Sequence, residues 1–313
     1  MTKIIFMGTP AFSVTVLEGL LQAQYEIVAV VTQPDRQVGR KKRLEMSPVK
    51  KFALAHDLLV LQPEKLSGSP ELTTLIDLHP DLIVTAAFGQ FVPTKLLKAA
   101  QIAAINVHGS LLPHNRGGAP IQRSIMNGDQ QTGITIMYMV AQMDAGDIIS
   151  QQSIEIDQHD TSGSLFAKLA IVGRDLLLQT IPQIVAGTNK RFPQDESQVT
   201  VTPNLKPDEE QIDIQQAAAY IDRQVRGLNP DPVAYLMVKK QRVKVYQISV
   251  GEQTTTAKPG TIVERTKHQL GIAAGDNSII YLERLQPAGK NVMMISDYLN
   301  GNGKDLQVGD QIN

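Results

Sequence analysis

The chain opens on a nearly continuous apolar run over residues 3–7, closed by Gly8-Thr9-Pro10 and followed by Phe12, Val16, Leu17, Leu20 and Leu21 at helical spacing. This predicts a strand, a tight turn and a helix, with Thr9 at the N-cap and Pro10 at the first helical position, where a missing N–H costs nothing. Apolar runs at 27–31, 82–87, 103–107 and 134–140 then alternate with helical stretches near 48–56, 72–78 and 120–126. Such alternation predicts an α/β domain built on a doubly wound, mostly parallel sheet. Sheets of this kind bind ligands at the carboxyl ends of their strands, where Gly8, Thr32, Phe88 and His108 fall.

A longer helix is predicted over 161–187, with Leu165, Leu169, Val172 and Leu176 on one face. After it the texture changes. Residues 188–211 hold Pro193, Pro203 and Pro207 among many polar residues, as an extended connection does. Beyond a helical stretch around 217–225 come short β-rich runs at 234–238, 243–249, 261–263, 270–273 and 279–282, which predict a small open barrel or half-barrel. The domain boundary is placed near residue 205, dividing the chain into 1–205 and 206–313.

At 313 residues the length itself suits two domains. Thirty Lys+Arg against 31 Asp+Glu leave a formal charge of -1, so any nucleic-acid site must be a local patch. One exists between Pro34 and Lys51, where Arg36, Arg40, Lys41, Lys42, Arg43, Lys50 and Lys51 face only Asp35 and Glu45. Taken alone, such a run is ordinarily a solvated loop. The apolar runs are too short to cross a bilayer, and the absence of cysteine removes disulfides and thiol nucleophiles. With no signal-like start, a cytoplasmic protein is expected.

Candidate chemistry is uneven along the chain. Gly8-Thr9-Pro10-Ala11-Phe12-Ser13 supplies one glycine where a dinucleotide fingerprint needs three. Asn106 and His108 are more informative: two apart at a strand end, they share a face and can converge on one small group, an amide donor beside an imidazole. The Pro/Gly-rich loop that follows, through Pro120, exposes backbone polar groups to a ligand. Asp144 and Asp147 lie in Met143-Asp144-Ala145-Gly146-Asp147, a kind of turn in which Asp is usually a turn former.

Together these segments resemble the methionyl-tRNA formyltransferase family. Its marker strings stand here as Phe6-Met7-Gly8-Thr9-Pro10, Thr32-Gln33-Pro34-Asp35-Arg36, Ser110-Leu111-Leu112-Pro113 followed by Arg116-Gly117, Ala119-Pro120-Ile121, and Met143-Asp144-Ala145-Gly146-Asp147. Arg226-Gly227-Leu228-Asn229-Pro230 and the β-rich tail resemble its carboxyl domain. The resemblance implies a Rossmann-like formyltransferase domain joined to an OB-like barrel that binds tRNA. It implies 10-formyltetrahydrofolate as donor, initiator methionyl-tRNA as acceptor and no metal. Asn106, His108 and Asp144 take the catalytic roles, Ser110, Leu111, Leu112 and Pro113 the folate contact, and Arg36, Arg40, Lys41, Lys42 and Arg43 the tRNA contact, with Arg40 entering the acceptor stem. A monomer without membrane association is expected. Ile214 and Asp231 stand where the family commonly has Trp, and the chain has none. Two rivals remain: a formyltransferase acting on a small amine, such as an amino sugar nucleotide or glycinamide ribonucleotide, and a nucleic-acid-binding module with a degenerate site.

Overall fold

A computed structural model describes residues 1–38 and 42–312. In chain order the first stretch runs β1 (Lys3–Gly8), α1 (Ala11–Gln22), β2 (Glu26–Val31), β3 (Arg36–Val38), β4 (Arg43–Glu45), α2 (Pro48–Ala55), β5 (Val60–Leu61), α3 (Pro70–Asp77), β6 (Leu82–Ala86), α4 (Thr94–Leu97), β7 (Ala103–His108), β8 (Arg116–Gly117), α5 (Pro120–Asn127), β9 (Gln131–Tyr138), β10 (Ile148–Glu155), α6 (Ser162–Val185) and β11 (Val201–Thr202). Two compact units form. The first comprises Met1–Pro120, Gln131–Glu155 and Phe166–Thr202; the second comprises Ile121–Gln130, Ile156–Leu165 and Pro203–Asn313.

Seven strands of the first unit share a mixed sheet in the order β10-β9-β7-β6-β1-β2-β5. The five from β7 to β5 are parallel, and β9 and β10 extend the sheet antiparallel. β1 is the middle of the five parallel strands, and its Ile4, Ile5, Phe6 and Met7 are all 0% exposed, as an unbroken apolar strand covered on both faces requires. Ser47 and Ser69 cap α2 and α3 by accepting from Lys50 N and Leu72 N, each with a proline in the first turn.

The start of α1 departs from the expectation, and one strand lies outside the apolar runs. Pro10, not Thr9, is the N-cap residue of α1, and no side chain caps that helix. Thr9 Oγ1 instead donates to the Phe88 carbonyl (3.0 Å) and accepts from Gln33 N (3.3 Å), so both sides of the hydroxyl are used away from the helix start. β10 was absent from the apolar pattern because Ile-Ile-Ser-Gln-Gln-Ser-Ile-Glu is mostly exposed along its second half, as a strand at a sheet edge can be. No helix among the described residues is long and apolar enough to cross a membrane.

The second unit adds α7 (Ala218–Gly227), β12 (Tyr235–Val238), β13 (Gln241–Thr254), β14 (Ile262–Arg265), β15 (Leu270–Ala273), β16 (Ser278–Pro287), β17 (Met293–Met294) and α8 (Ile295–Asn300). Its sheet is antiparallel, with the path β12-β13-β16-β15-β14 and β17 beside β16. The path is open among the described residues, so the unit is an antiparallel β domain. Ile221, Leu236, Val245, Ile272, Ile280 and Leu285 form its core, and Ile214, only 5% exposed, belongs to the same cluster. An aliphatic side chain therefore fills one position where Trp is common; Asp231, at the other, is exposed.

Candidate active site

β7 carries Asn106 and His108 on one face, and neighbouring strands fix how each is oriented. Thr85 of β6 stands in register with Asn106, and its Oγ1 donates to Asn106 Oδ1 (2.7 Å). The other end of the amide faces Asp144 Oδ1 at 3.5 Å, and a carboxylate oxygen only accepts, so that end is Nδ2. His108 is buried, and its Nε2 lies 3.1 Å from the Asn115 carbonyl. A carbonyl only accepts, so Nε2 carries the hydrogen, and Nδ1 faces Asp144 Oδ2 at 3.7 Å. A second ring proton would sit on the carboxylate side, where it forms a charged pair.

Asp144 reaches this position from a turn in which its own φ is +52°, a left-handed conformation that costs a non-glycine residue about 1–2 kcal/mol. Its Oδ2 accepts the Gly117 N–H (2.9 Å). Gly117 has φ +106°, and a Cβ there would lie 2.6 Å from the Thr202 carbonyl, so only glycine brings that N–H to the carboxylate without a clash. Gln194 Nε2 donates to the Asp144 and Gly146 carbonyls, both at 2.8 Å. Gln194 Oε1 accepts from Arg116 Nε (2.9 Å), and the buried Arg116 pairs with Glu196 (2.7 Å).

The loop after β7 is held as firmly. Thr135 of β9, 0% exposed, donates to the Ser110 carbonyl (2.7 Å) and accepts from Leu112 N (3.1 Å) and Gln151 Nε2 (2.9 Å). Ser110 Oγ donates to the His114 carbonyl (2.6 Å), and Leu112 packs with Met137 and Ile148. Leu111 and Pro113 are left partly exposed. At the ends of β1, β2 and β6, Thr9 and Gln33 both donate to the Phe88 carbonyl (3.0 and 3.1 Å). Next to them Asp35 accepts from Gln62 (2.9 Å) and Lys50 (2.7 Å). These bonds, Gln62's first, hold the Asp35 carboxyl below its ordinary value.

The basic segment is a hairpin in which β3 and β4 pair, Arg36 opposite Glu45. Arg36 is bound to Glu64 (2.9 Å) and Lys50 to Asp35 (2.7 Å), so two of the segment's cations are neutralised, one by an acid outside it. Lys42, Arg43 and Lys51 are exposed. Arg40 and Lys41 lie outside the described residues. Of the residues that shape the site, sequence reasoning missed Thr85, Thr135, Asn115 and Gln194. A hydroxyl inside an apolar strand signals the first two; Gln194, in a polar connection, carries no such mark.

Residues 2–181 match the formyl transferase family, and residues 204–303 match the formyl transferase C-terminal domain. Methionyl-tRNA formyltransferases of Lactiplantibacillus plantarum and Latilactobacillus sakei are 55% and 57% identical, covering 100% of this chain and 99% and 98% of theirs. That of Enterococcus faecalis is 53% identical and covered completely, as is this chain. The fold is shared with an N-formyltransferase from Helicobacter canadensis solved with folinic acid and dTDP-3-aminofucose, at TM-score 0.69 and 19% identity over 92% of this chain and 100% of that one. It is also shared with HypX of Aquifex aeolicus solved with tetrahydrofolic acid, at TM-score 0.66 and 16% identity over 99% of this chain and 50% of that one. With both modules matched and relatives of this identity along its whole length, the chain belongs to the formyl transferase family and, within it, to the methionyl-tRNA formyltransferases.

Proposed function

We propose that the chain moves the formyl group of 10-formyltetrahydrofolate onto the α-amino group of initiator methionyl-tRNA, with the chemistry at Asn106, His108 and Asp144. The convergence of these three side chains, at 3.5 and 3.7 Å across Asp144, carries the reading. The free amine, whose pKa near 8 leaves part of it unprotonated at neutral pH, attacks the formyl carbon. Charge develops on the formyl oxygen of the tetrahedral intermediate. Asn106 has a second amide hydrogen to donate there, and His108, when protonated, adds positive charge beside it; a preorganised donor of this kind is worth about 3 kcal/mol. Asp144 keeps His108 oriented. Through water it relays the ammonium proton to the folate nitrogen as the carbon–nitrogen bond to that nitrogen breaks.

Folate is held at the 110–113 loop, in this reading, by apolar contact with Leu111 and Pro113, while the internal bonds of Ser110 and Leu112 keep the loop in shape. Arg36, Arg40, Lys41, Lys42 and Arg43 meet the acceptor end of the tRNA. A guanidinium at position 40 is suited to testing the first base pair, since its planar fork can contact base edges and phosphates alike. In this reading residues 1–205 carry the catalytic residues, although 121–130 and 156–165 cluster with the second unit, and residues 206–313 supply an OB-like tRNA-binding domain, whose Lys239 and Lys240 occupy an exposed two-residue turn between β12 and β13.

Incubation with 10-formyltetrahydrofolate and either methionyl-tRNA, an amino sugar nucleotide or glycinamide ribonucleotide tests the acceptor: the tRNA should be formylated. Turnover with a small amine alone would overturn the assignment. Arg40→Leu should reduce formylation of initiator tRNA far more than Lys50→Leu, with folate binding preserved.

A further inference from the structure

We infer that Gln194 is a positioning residue for the reaction, holding the Asp144 turn so that its carboxylate faces Asn106 and His108. This rests on the catalytic reading of those three residues. Gln194 uses both its donors and its acceptor oxygen: both hydrogens of Nε2 go to the carbonyls of Asp144 and Gly146, and Oε1 takes the Nε–H of Arg116. Its amide has one workable orientation, because flipping it would set an oxygen against two carbonyls and an NH2 against a guanidinium.

The bonds form a closed clamp. Arg116 precedes Gly117, whose N–H holds the Asp144 carboxylate, so one amide grips both the backbone of the Asp144 turn and the strand that grips its side chain. The rest of the connection after α6 fastens the same two loops. Arg191 faces Asp147 at 3.7 Å, Phe192 and Ile148 exchange backbone hydrogen bonds at 2.9 Å, and Arg116 N donates to the Thr200 carbonyl at 2.9 Å. A left-handed aspartate turn would relax without such bonds, and displacement of a reacting group by 1 Å can lower turnover by about 100-fold. The connection between the two family modules is therefore part of the reaction's scaffold as well as a tether.

Gln194→Glu separates positioning from mere support. The variant keeps size, and strengthens the bond to Arg116, yet sets a carboxylate oxygen against the Asp144 and Gly146 carbonyls. In the full-length protein, with 10-formyltetrahydrofolate and methionyl-tRNA, kcat should fall about 10- to 100-fold with each KM within about twofold. Amide hydrogen exchange at Gly117 should accelerate. Added to Asp144→Asn, the same change should do nothing further. Wild-type kcat in Gln194→Glu, beside an inactive Asp144→Asn, would overturn the inference while leaving the catalytic reading intact. An active Asp144→Asn would remove that reading, and the inference with it. Should Gln194→Glu fail to fold, Gln194→Ala is measured in the same way, and loss of far-ultraviolet dichroism in both would assign Gln194 a purely structural role and overturn the inference.

Discussion

The Asp144 site and the basic hairpin belong to the same unit and treat their charges in opposite ways. At the site each ionisable or polar group has a fixed partner: His108 between Asn115 and Asp144, Asp144 between Asn106, Gly117 and His108, and Arg116 between Gln194 and Glu196. On the hairpin Arg36 is tied to Glu64, while Lys42 and Arg43 stand in solvent. Preorganisation serves a transition state whose charge develops at one point, because donors already aligned need no rearrangement as it forms. A phosphate backbone presents charge diffusely, and mobile, solvated cations can follow it; their attraction is correspondingly sensitive to salt.

The comparison breaks if the two regions respond alike to mutation. Asn106→Ala, His108→Ala and Asp144→Asn should each lower kcat by about 100- to 10,000-fold while leaving tRNA affinity nearly unchanged. Their losses should not add, since all act on one transition state; single-turnover kinetics of single and double variants checks this. Next in size is Thr135→Val, which leaves the Ser110 carbonyl and the Leu112 and Gln151 donors without their shared partner. A loss of about 2–3 kcal/mol in urea unfolding is expected, with no change in the salt dependence of tRNA binding.

Arg43→Gln should do the reverse, weakening tRNA binding at low salt and reducing the slope of log affinity against log salt by about 1, with kcat at saturating substrate little changed. The smallest effect concerns Asp35, whose carboxyl is held below its ordinary value, first by Gln62 and then by Lys50. A depressed folded-state pKa adds stability that is complete above the ordinary carboxylate range, about pH 4, and lost as pH falls through the folded-state value. The stability difference between the wild type and Asp35→Asn should therefore be constant near neutrality and shrink below about pH 4, measured by thermal unfolding across pH.

The legible parts of this molecule were those where one physical requirement dominates. β1 and β7 are apolar because both faces are covered, and Asn106 and His108 share a face because a strand has a period of two. β10 was illegible for the same reason inverted: at an edge, few of its positions need to be apolar. The glycine turn after β1 was read for its cap, but Thr9 bonds to Phe88, a residue far along the chain that local pattern cannot register. In the basic segment the charge count was right and the free charge was not, because Glu64 folds back onto Arg36. Gln194 shows the limit most plainly. Its partners come from two segments remote in sequence, Arg116 on one and Asp144 and Gly146 on the other, and nothing in Pro193-Gln194-Asp195 distinguishes it from other polar connections.

The seven-stranded sheet ends on β10 at one side and β5 at the other, and each end bears on how the protein behaves at high concentration. A long flat strand with open amides invites pairing with another molecule and, from there, aggregation. β5 offers little purchase, being only two residues long. β10 is eight residues long, but Gln151, Gln152, Ser153 and Glu155 are exposed along it, while its start is already bridged to Phe192. Shortness guards one margin and polarity the other, so replacement of Gln152 and Glu155 by valine should yield a protein that still folds but precipitates on concentration, with light scattering as the readout.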